Sequence, residues 1–136
     1  MTVDALLARL GHSVIHEAAS SNAITDLEQK IGKAFPALYS ELMRRTNGVE
    51  GFLSEVNYLL LWNIEQLVEL NESYGVQEFA PGLFLIGSNG GDAAYAFDTR
   101  SDPMPVVEVP FIGLSLEEAR QVGTSFEDFI NGLSAQ

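Results

Sequence analysis

Apolar residues recur at three- and four-residue intervals near the start of the chain, and this spacing predicts two helices. The residues that set it are Leu6, Leu10 and Val14, then Ile24, Leu27 and Ile31. A third helix is expected to start near Pro36, because the N–H that proline lacks would be unpaired in a first helical turn anyway. It is expected to end at Asn47-Gly48, since both residue types adopt the left-handed conformation common at helix C-termini.

Large apolar side chains predict strands in the middle of the chain. Residues 52–62 indicate one or two strands, and residues 83–87 indicate a short buried one. Residues 88–91 read Ser-Asn-Gly-Gly. They predict a hairpin connection, because asparagine and glycine supply the positive φ that such turns need.

Two further strands are expected beyond this hairpin. Residues 93–98 alternate in a way that places Tyr95 and Phe97 on the same face. Residues 106–109 predict another strand, and the prolines on both sides of it favour a position at the edge of the sheet.

Three polar pairs have the spacing of a capping box and predict helix starts. They are Asn63 with Gln66, Ser115 with Glu118, and Thr124 with Glu127. The last pair precedes the clearest helical pattern in the sequence. That pattern consists of Phe126, Phe129, Ile130 and Leu133.

The order of these elements predicts the fold class. Helices come first, strands with one inserted helix follow, and a helix closes the chain. This order favours an α+β fold with a mixed, mainly antiparallel sheet and helices packed around it. Because the chain has 136 residues, we expect a single domain over residues 1–136, in which residues 1–20 form an N-terminal helical extension.

Composition narrows the function classes. There are 19 acidic residues against 7 basic ones, which gives a formal net charge of −12. This balance argues against nucleic acid and an anionic membrane as partners, since both require a basic surface. The chain has no cysteine, which excludes disulfides, thiolate metal sites and a cysteine nucleophile. Neither a secretion signal nor a membrane-spanning run is visible, so a cytoplasmic location is expected.

Short motifs occur in a characteristic order from about residue 24 to residue 133. The first are Phe35-Pro36-Ala37-Leu38-Tyr39, then Leu42, then Asn47-Gly48. The later ones are Trp62-Asn63-Ile64-Glu65, residues 85–92 (LIGSNGGD), residues 94–98 (AYAFD) and residues 125–130 (SFEDFI). In order and spacing they resemble the SUKH superfamily, although Phe35 stands where that superfamily usually has leucine.

The resemblance implies a compact α+β domain that works by binding another protein. Many bacterial SUKH proteins are immunity proteins that neutralise the toxin domain of a polymorphic secretion system, often a nuclease. Fungal members act as signalling and cell-wall-assembly hubs. The shared motifs are mostly structural and the contacts vary with the partner, so the resemblance supplies no set of functional residues.

An acidic stretch gives the candidate binding surface. Residues 46–99 hold eight acidic residues and neither lysine nor arginine. Such a stretch fits an ordinary solvated surface, and it equally fits a landing site for a cationic partner, since complementary charge accelerates association. The contacts predicted from charge and position are Glu65, Glu69, Glu72, Glu78 and Asp92, with Tyr74 and Tyr95 as apolar anchors.

Two patterns invite a metal or phosphate site but favour structural interpretations. His12 and His16 have the i, i+4 spacing of a metal-binding pair, yet no third ligand is evident. Residues 87–91 are glycine-rich but lack the lysine of a phosphate-binding loop, and a strand is predicted to follow them. We therefore expect no metal and no cofactor.

We first expect ordinary structural roles for the charged residues around Arg100 and for Trp62. Asp98 and Asp102 flank Arg100, which favours a local ion pair over a calcium loop, because Pro103 stands where such a loop needs glycine. Trp62 is expected to lie in the core, with a binding hot spot as the sharper alternative.

Three hypotheses for the function follow. The first is a non-catalytic binding protein, and within it an immunity protein that neutralises a basic toxin. The second keeps the binding role but assigns a housekeeping scaffold or regulatory function. The third is a small hydrolase, which would need a cleft holding a histidine or a carboxylate pair with a strongly shifted pKa.

Overall fold

Helices flank one six-stranded sheet in the computed structural model, which describes residues 2–10 and 21–135. The elements in chain order are α1 (Val3–Leu10), α2 (Ser21–Ile31), α3 (Ala37–Thr46), β1 (Val49–Phe52), β2 (Tyr58–Leu61), α4 (Ile64–Ser73), α5 (Val76–Phe79), β3 (Leu83–Ser88), β4 (Ala93–Asp98), β5 (Val106–Pro110), β6 (Arg120–Gly123) and α6 (Phe126–Ser134). The predicted first helix is present as far as Leu10. Val14 and the remainder of the predicted N-terminal extension lie outside the described residues.

The sheet follows the chain, with each strand hydrogen-bonded to the next in the order β1-β2-β3-β4-β5-β6. Every neighbouring pair is antiparallel. The α+β prediction is therefore confirmed. The predicted hairpin is present, with its connection at residues 89–92, because Ser88 still belongs to β3 and pairs with Ala94. None of the helices within the described residues is long and apolar enough to cross a membrane.

The edge position predicted for β5 is wrong, because β6 pairs with its outer side. No hydrophobic pattern marks β6, which reads Arg-Gln-Val-Gly and has its first two residues exposed. The prolines that suggested an edge lie at the ends of β5. Pro105 contributes its carbonyl, which accepts a bond from the Asp98 N–H at 3.0 Å, and Pro110 pairs with Ala93 at the last position of the register.

The two faces of the sheet carry side chains of different size. On β4, Tyr95 and Phe97 join a large core beneath the helices, whereas Ala94 and Ala96 join a smaller core on the opposite face. The large core includes residues of α1, α2, α3, α4 and α6. The smaller core is covered by Val76 and Ala80, around α5, by Trp62, and by apolar residues of the segment 111–119.

Two predicted capping boxes need correction. The N–H of Glu118 does bond to Ser115 Oγ at 3.2 Å, but the residues after it form a turn that leads into β6 and no helix. The cap of α6 is Ser125, one residue later than predicted, and its side chain accepts a bond from the N–H of Asp128 at 3.1 Å. Serine at this position satisfies a helix N–H that would otherwise lack a partner.

Asn47 joins the end of α3 to the start of α4. Its backbone is left-handed, with φ 48°, and the predicted end of the third helix at Asn47-Gly48 is confirmed. The Asn47 Oδ1 atom accepts a bond from the N–H of Ile64 at 2.8 Å in a buried position. Gly48 is required because a Cβ there would lie 2.8 Å from the Leu61 carbonyl oxygen.

Asn71 fixes the other end of α4 to the sheet. β2 ends at Leu61, so the Leu85 backbone of β3 has no strand beside it on that side. The Asn71 amide takes the place of the missing strand. Its Oδ1 accepts from the Leu85 N–H at 2.8 Å, and its Nδ2 donates to the Leu85 carbonyl at 3.0 Å.

Tyr39 lies at the centre of the large core. Its ring meets Phe35, Phe97 and Phe126 edge-on, with centroid distances of 5.0, 5.2 and 5.4 Å. Such edge-to-face pairs are favourable beyond the area they bury. The Tyr39 hydroxyl is fully buried and has no hydrogen-bond partner among the described residues. The tyrosine of the sequence motif is thus held by its ring rather than by its hydroxyl.

Replacing Asn71 tests whether its amide holds α4 to the sheet. We expect Asn71→Ala to lower the free energy of unfolding by about 1–3 kcal/mol, because the buried N–H and C=O of Leu85 lose their partner. The matched control is Asn22→Ala, since Asn22 lies exposed on α2 and an exposed change costs within about 0.5 kcal/mol. Urea denaturation of both variants measures the difference, and equal stabilities would contradict this role for Asn71.

A second prediction concerns the Tyr39 hydroxyl and pH. Burial raises the pKa of Tyr39, so the unfolded chain releases this proton first. The stabilisation that Tyr39 contributes is therefore complete below about pH 10, its unfolded pKa, and falls as the pH rises further. Burial also raises the pKa of Tyr95, to about 12, which adds a loss in the same direction.

The substitution Tyr39→Phe removes the loss of stability at high pH that is due to Tyr39 and leaves the loss that is due to Tyr95. At neutral pH we expect the variant to match or exceed the unmodified chain in stability, within about 1 kcal/mol, because the hydroxyl has no bond to lose. Between about pH 9 and about pH 11 it should lose less stability than the unmodified chain. Urea denaturation across this range measures both effects. A variant less stable by more than about 2 kcal/mol at neutral pH would reveal a hydrogen bond at Tyr39.

Candidate partner-binding surface

Helix α4 carries the acidic side chains that the sequence singled out. Asn63 caps it as predicted, with its side chain accepting a bond from the N–H of Gln66 at 3.1 Å. Ile64 and Leu67 face the core, and Glu65, Glu69 and Glu72 are exposed. The helix has no basic residue in its last turn, so nothing there offsets the repulsion between its carboxylates.

Glu65 differs from the other acidic residues of this helix because it takes part in the α3–α4 junction. Its Oε2 atom accepts a bond from Asn47 Nδ2 at 2.8 Å. Asn47 thus binds the backbone of Ile64 with one amide atom and the side chain of Glu65 with the other. Glu65 therefore has a structural role that its predicted partner-binding role did not include.

Glu72 and Glu78 lie on the rim of a groove between α2 and the α4–α5 segment. The groove has a volume of about 620 Å³, with Leu27 and Val68 among its apolar lining and Lys30 as its basic residue. A hollow of about 310 Å³ beside it is lined by Glu65 and shares Leu27, Lys30 and Val68 with the groove. The α2 side of α4 is therefore acidic but contains one cation.

Tyr74 and Asp92 lie away from this groove. The Tyr74 ring packs against Phe111 with a centroid distance of 4.9 Å, and the N–H of Phe111 donates to the carbonyl of Asp92 at 3.0 Å. The structure thus divides the predicted site. Glu65, Glu72 and Glu78 line the groove or its adjoining hollow, whereas Tyr74 and Asp92 adjoin the segment that follows β5.

Exposed apolar side chains that the sequence analysis missed lie beside Tyr74, near the segment that follows β5. We define the apolar patch as Tyr74, Phe79, Phe111 and Ile112. Ile112 is 94% exposed, Phe79 56% and Tyr74 39%. A signal was present, because Phe111 and Ile112 stand between Pro110 and Gly113 in a turn where polar residues are usual.

Tyr95 is not available as an anchor, which corrects the prediction. It is 3% exposed, and its ring packs edge-on against Phe129 with a centroid distance of 4.7 Å. The alternation of 93–98 placed Tyr95 correctly beside Phe97. That face of β4 is covered by helices, so the Tyr95 ring lies inside the large core.

The ion pair predicted for Asp98 and Arg100 is confirmed, and the core position predicted for Trp62 is met only in part. Arg100 donates from Nε and Nη2 to the two carboxylate oxygens of Asp98, each at 2.9 Å. Hydrogen bonding from Arg100 lowers the pKa of Asp98, so this carboxylate is already paired. Trp62 is half-buried and packs against both cores, and its ring centroid lies 6.3 Å from that of Phe111.

The structure does not test the metal-binding pair considered from the sequence. His12 and His16 lie outside the described residues. Across residues 2–10 and 21–135, no group of three or more histidine and acidic side chains is arranged to hold a metal ion.

Comparison with known proteins identifies the family. The family model described as the SMI1 / KNR4 family (SUKH-1) matches residues 18–132, close to the range of 24–133 expected from the motifs. An uncharacterized protein of Bacillus subtilis (strain 168), YnaB, is 31% identical over 113 residues, which are 82% of this chain and 73% of that protein. The motif residues Tyr39 and Asn47 have the structural roles described above, in the core and at the α3–α4 junction. The chain belongs to the SMI1 / KNR4 family (SUKH-1).

Proposed function

We propose that this chain is an immunity protein that neutralises a basic toxin domain by binding it directly, one copy to one copy. It carries out no chemistry. It covers the active site of the toxin, or a surface next to it, and so keeps the toxin from its substrate. Membership of the SUKH family supports a binding role, since bacterial proteins that resemble this chain include many immunity proteins.

The observation that carries the proposal is a set of exposed carboxylates without partners. Glu69, Glu72, Glu78 and Asp92 are all exposed, and none has a side-chain hydrogen bond or ion pair within the described residues. Three other acidic residues of the stretch are engaged, Glu50 with Tyr58, Glu65 with Asn47 and Asp98 with Arg100, whereas Glu55, in the β1–β2 connection, is exposed as well. The four exposed carboxylates are therefore available to a cationic partner.

Electrostatics suits fast capture. A nuclease toxin needs a basic surface to attract the phosphates of its substrate, and an acidic protein competes for that same surface. Complementary charge raises association rates by about 10- to 1,000-fold at low salt. Speed matters for an immunity protein, because the toxin is harmful from the moment it is free in the cell.

The groove gives less support to the hydrolase alternative. The carboxylates that line it, Glu72 and Glu78, are both exposed. An acid–base pair works best where burial tunes its pKa. These features favour binding over hydrolysis.

Charge reversal on α4 tests the landing site. Sequencing of the genes on either side of this one supplies the probe: a toxin domain encoded there, made inactive by substitution of its catalytic residue. We expect Glu69→Lys with Glu72→Lys to slow its association by about 10- to 100-fold at low salt and to flatten the salt dependence, because steering depends on the local field. Stopped-flow fluorescence measures the rate.

The control for this experiment is a pair that makes the same change in net charge elsewhere. Glu41→Lys with Glu55→Lys reverses two exposed acids, on α3 and in the β1–β2 connection, and should slow association much less. If both pairs slow association equally, the slowing is due to the change in net charge alone, and α4 is not a specific landing site.

Co-expression separates the immunity function from a scaffold function. An immunity protein should restore growth to cells that produce the active form of the same toxin domain. A housekeeping scaffold would leave those cells dying, and the absence of any toxin gene beside this one would also favour the scaffold.

A further inference from the structure

Three of the five exposed large apolar side chains of the described residues belong to the apolar patch. They are Tyr74, Phe79 and Ile112, and the other two, Phe52 and Val56, lie at the β1–β2 end of the sheet. Single exposed apolar residues are normal, but contiguous ones mark interaction sites. Tyr74 contacts Phe111, the neighbour of Ile112, and the Phe79 ring lies against Gly75, next to Tyr74.

The structure holds Ile112 outward on a firm base. On one side of it, Phe111 is fixed by the bond from its N–H to the Asp92 carbonyl at 3.0 Å and by its ring contacts with Tyr74 and Trp62. On the other side, Leu114 is buried in the smaller core. Between these anchors, Gly113 has φ +83° and turns the chain. Ile112 is thus preorganised for contact, which reduces the entropy lost on binding.

The charge around the patch selects its occupant. The segments that form it, residues 62–79, 92 and 110–119, contain acidic residues and neither lysine nor arginine. Asp92, Glu117 and Glu118 are exposed on these segments. A second copy of this chain would bring the same negative charge to the interface, and like charges face to face are unfavourable. A partner with a basic surface around an apolar recess matches both the charge and the apolar side chains of the patch.

We propose that the apolar patch is the anchor of the interface with the toxin, an inference that rests on the proposed function. Ile112 and Tyr74 enter an apolar recess on the toxin, and lysine or arginine side chains at the rim of that recess face Asp92, Glu117 and Glu118. The acidic residues of α4 bring the two proteins together, and the patch keeps them together. Charge on α4 therefore governs the association rate and the patch governs the dissociation rate.

Substitution of Ile112 tests this division. The probe is the same inactive toxin domain, and surface plasmon resonance measures both rates. We expect Ile112→Asp to weaken affinity by about 30-fold or more, as a hot-spot residue does. The loss should lie almost entirely in faster dissociation. Ile112→Leu should restore near-normal binding, because it keeps the apolar contact.

The matched control is Val56→Asp. Val56 is 70% exposed and lies in the β1–β2 connection, away from the patch in the fold. Both substitutions add one negative charge at an exposed apolar position, so folding should survive in each, and circular dichroism and urea denaturation confirm it. Val56→Asp should leave both rates within about twofold of the unmodified chain.

Three other results would each overturn the inference, and they can be told apart from one another. Normal affinity in Ile112→Asp, or a larger loss in Val56→Asp, removes the patch as the anchor and leaves the proposed function intact. A free chain that dimerises in sedimentation and becomes monomeric in Ile112→Asp would make a second copy the occupant. Failure of the unmodified chain to bind the toxin domain overturns the proposed function and this inference with it.

Discussion

Two buried asparagine side chains determine where the acidic surface lies. Asn47 binds the first N–H of α4 and Asn71 binds the edge of β3, so α4 is attached to the fold at both ends. Asn47 accepts from the N–H of Ile64, and Asn71 accepts from the N–H and donates to the carbonyl of Leu85. Buried backbone groups of this kind are costly to leave unpaired. Because β2 ends at Leu61, the Leu85 backbone has no neighbouring strand on that side. Asn71 of α4 supplies the hydrogen bonds that such a strand would have made. A partner therefore encounters carboxylates on a helix fixed to the sheet.

The unequal faces of the sheet explain why the exposed apolar residues lie where they do. Phe97 and Tyr95 fill the face beneath the helices, and the alanines between them leave little volume on the other. Segment 111–119 helps to cover this second face, which has no full layer of helices. Some of its apolar residues are buried against the sheet and others are exposed. Leu114 turns inward and Ile112 outward. The same thin layer that closes the smaller core thus presents an apolar contact to solvent, next to the exposed carboxylates Asp92, Glu117 and Glu118.

Local chemistry made much of the fold predictable, and long-range pairing accounts for most of what was missed. The end of α3 at Asn47-Gly48 and the hairpin between β3 and β4 follow from backbone preferences that act within a few residues. The strand β6 has no such signal, because it is polar and owes its conformation to β5. Tyr95 was placed on the correct face of its strand, yet which face the helices cover depends on the assembled sheet. The apolar patch joins residues more than 30 positions apart, Tyr74 and Ile112, so no single window of sequence contains it.

Hydrogen–deuterium exchange of the chain, free and bound to the inactive toxin domain used as the probe, tests the location of the binding face most directly. If α4, α5 and the segment 111–119 form that face, binding slows exchange in peptides from residues 64–79 and 107–119. Peptides from α1 and α3, on the helical side of the large core, exchange at unchanged rates. Protection confined to α1 and α3, with unchanged exchange in residues 64–79 and 107–119, would place the interface elsewhere on the molecule and contradict the account.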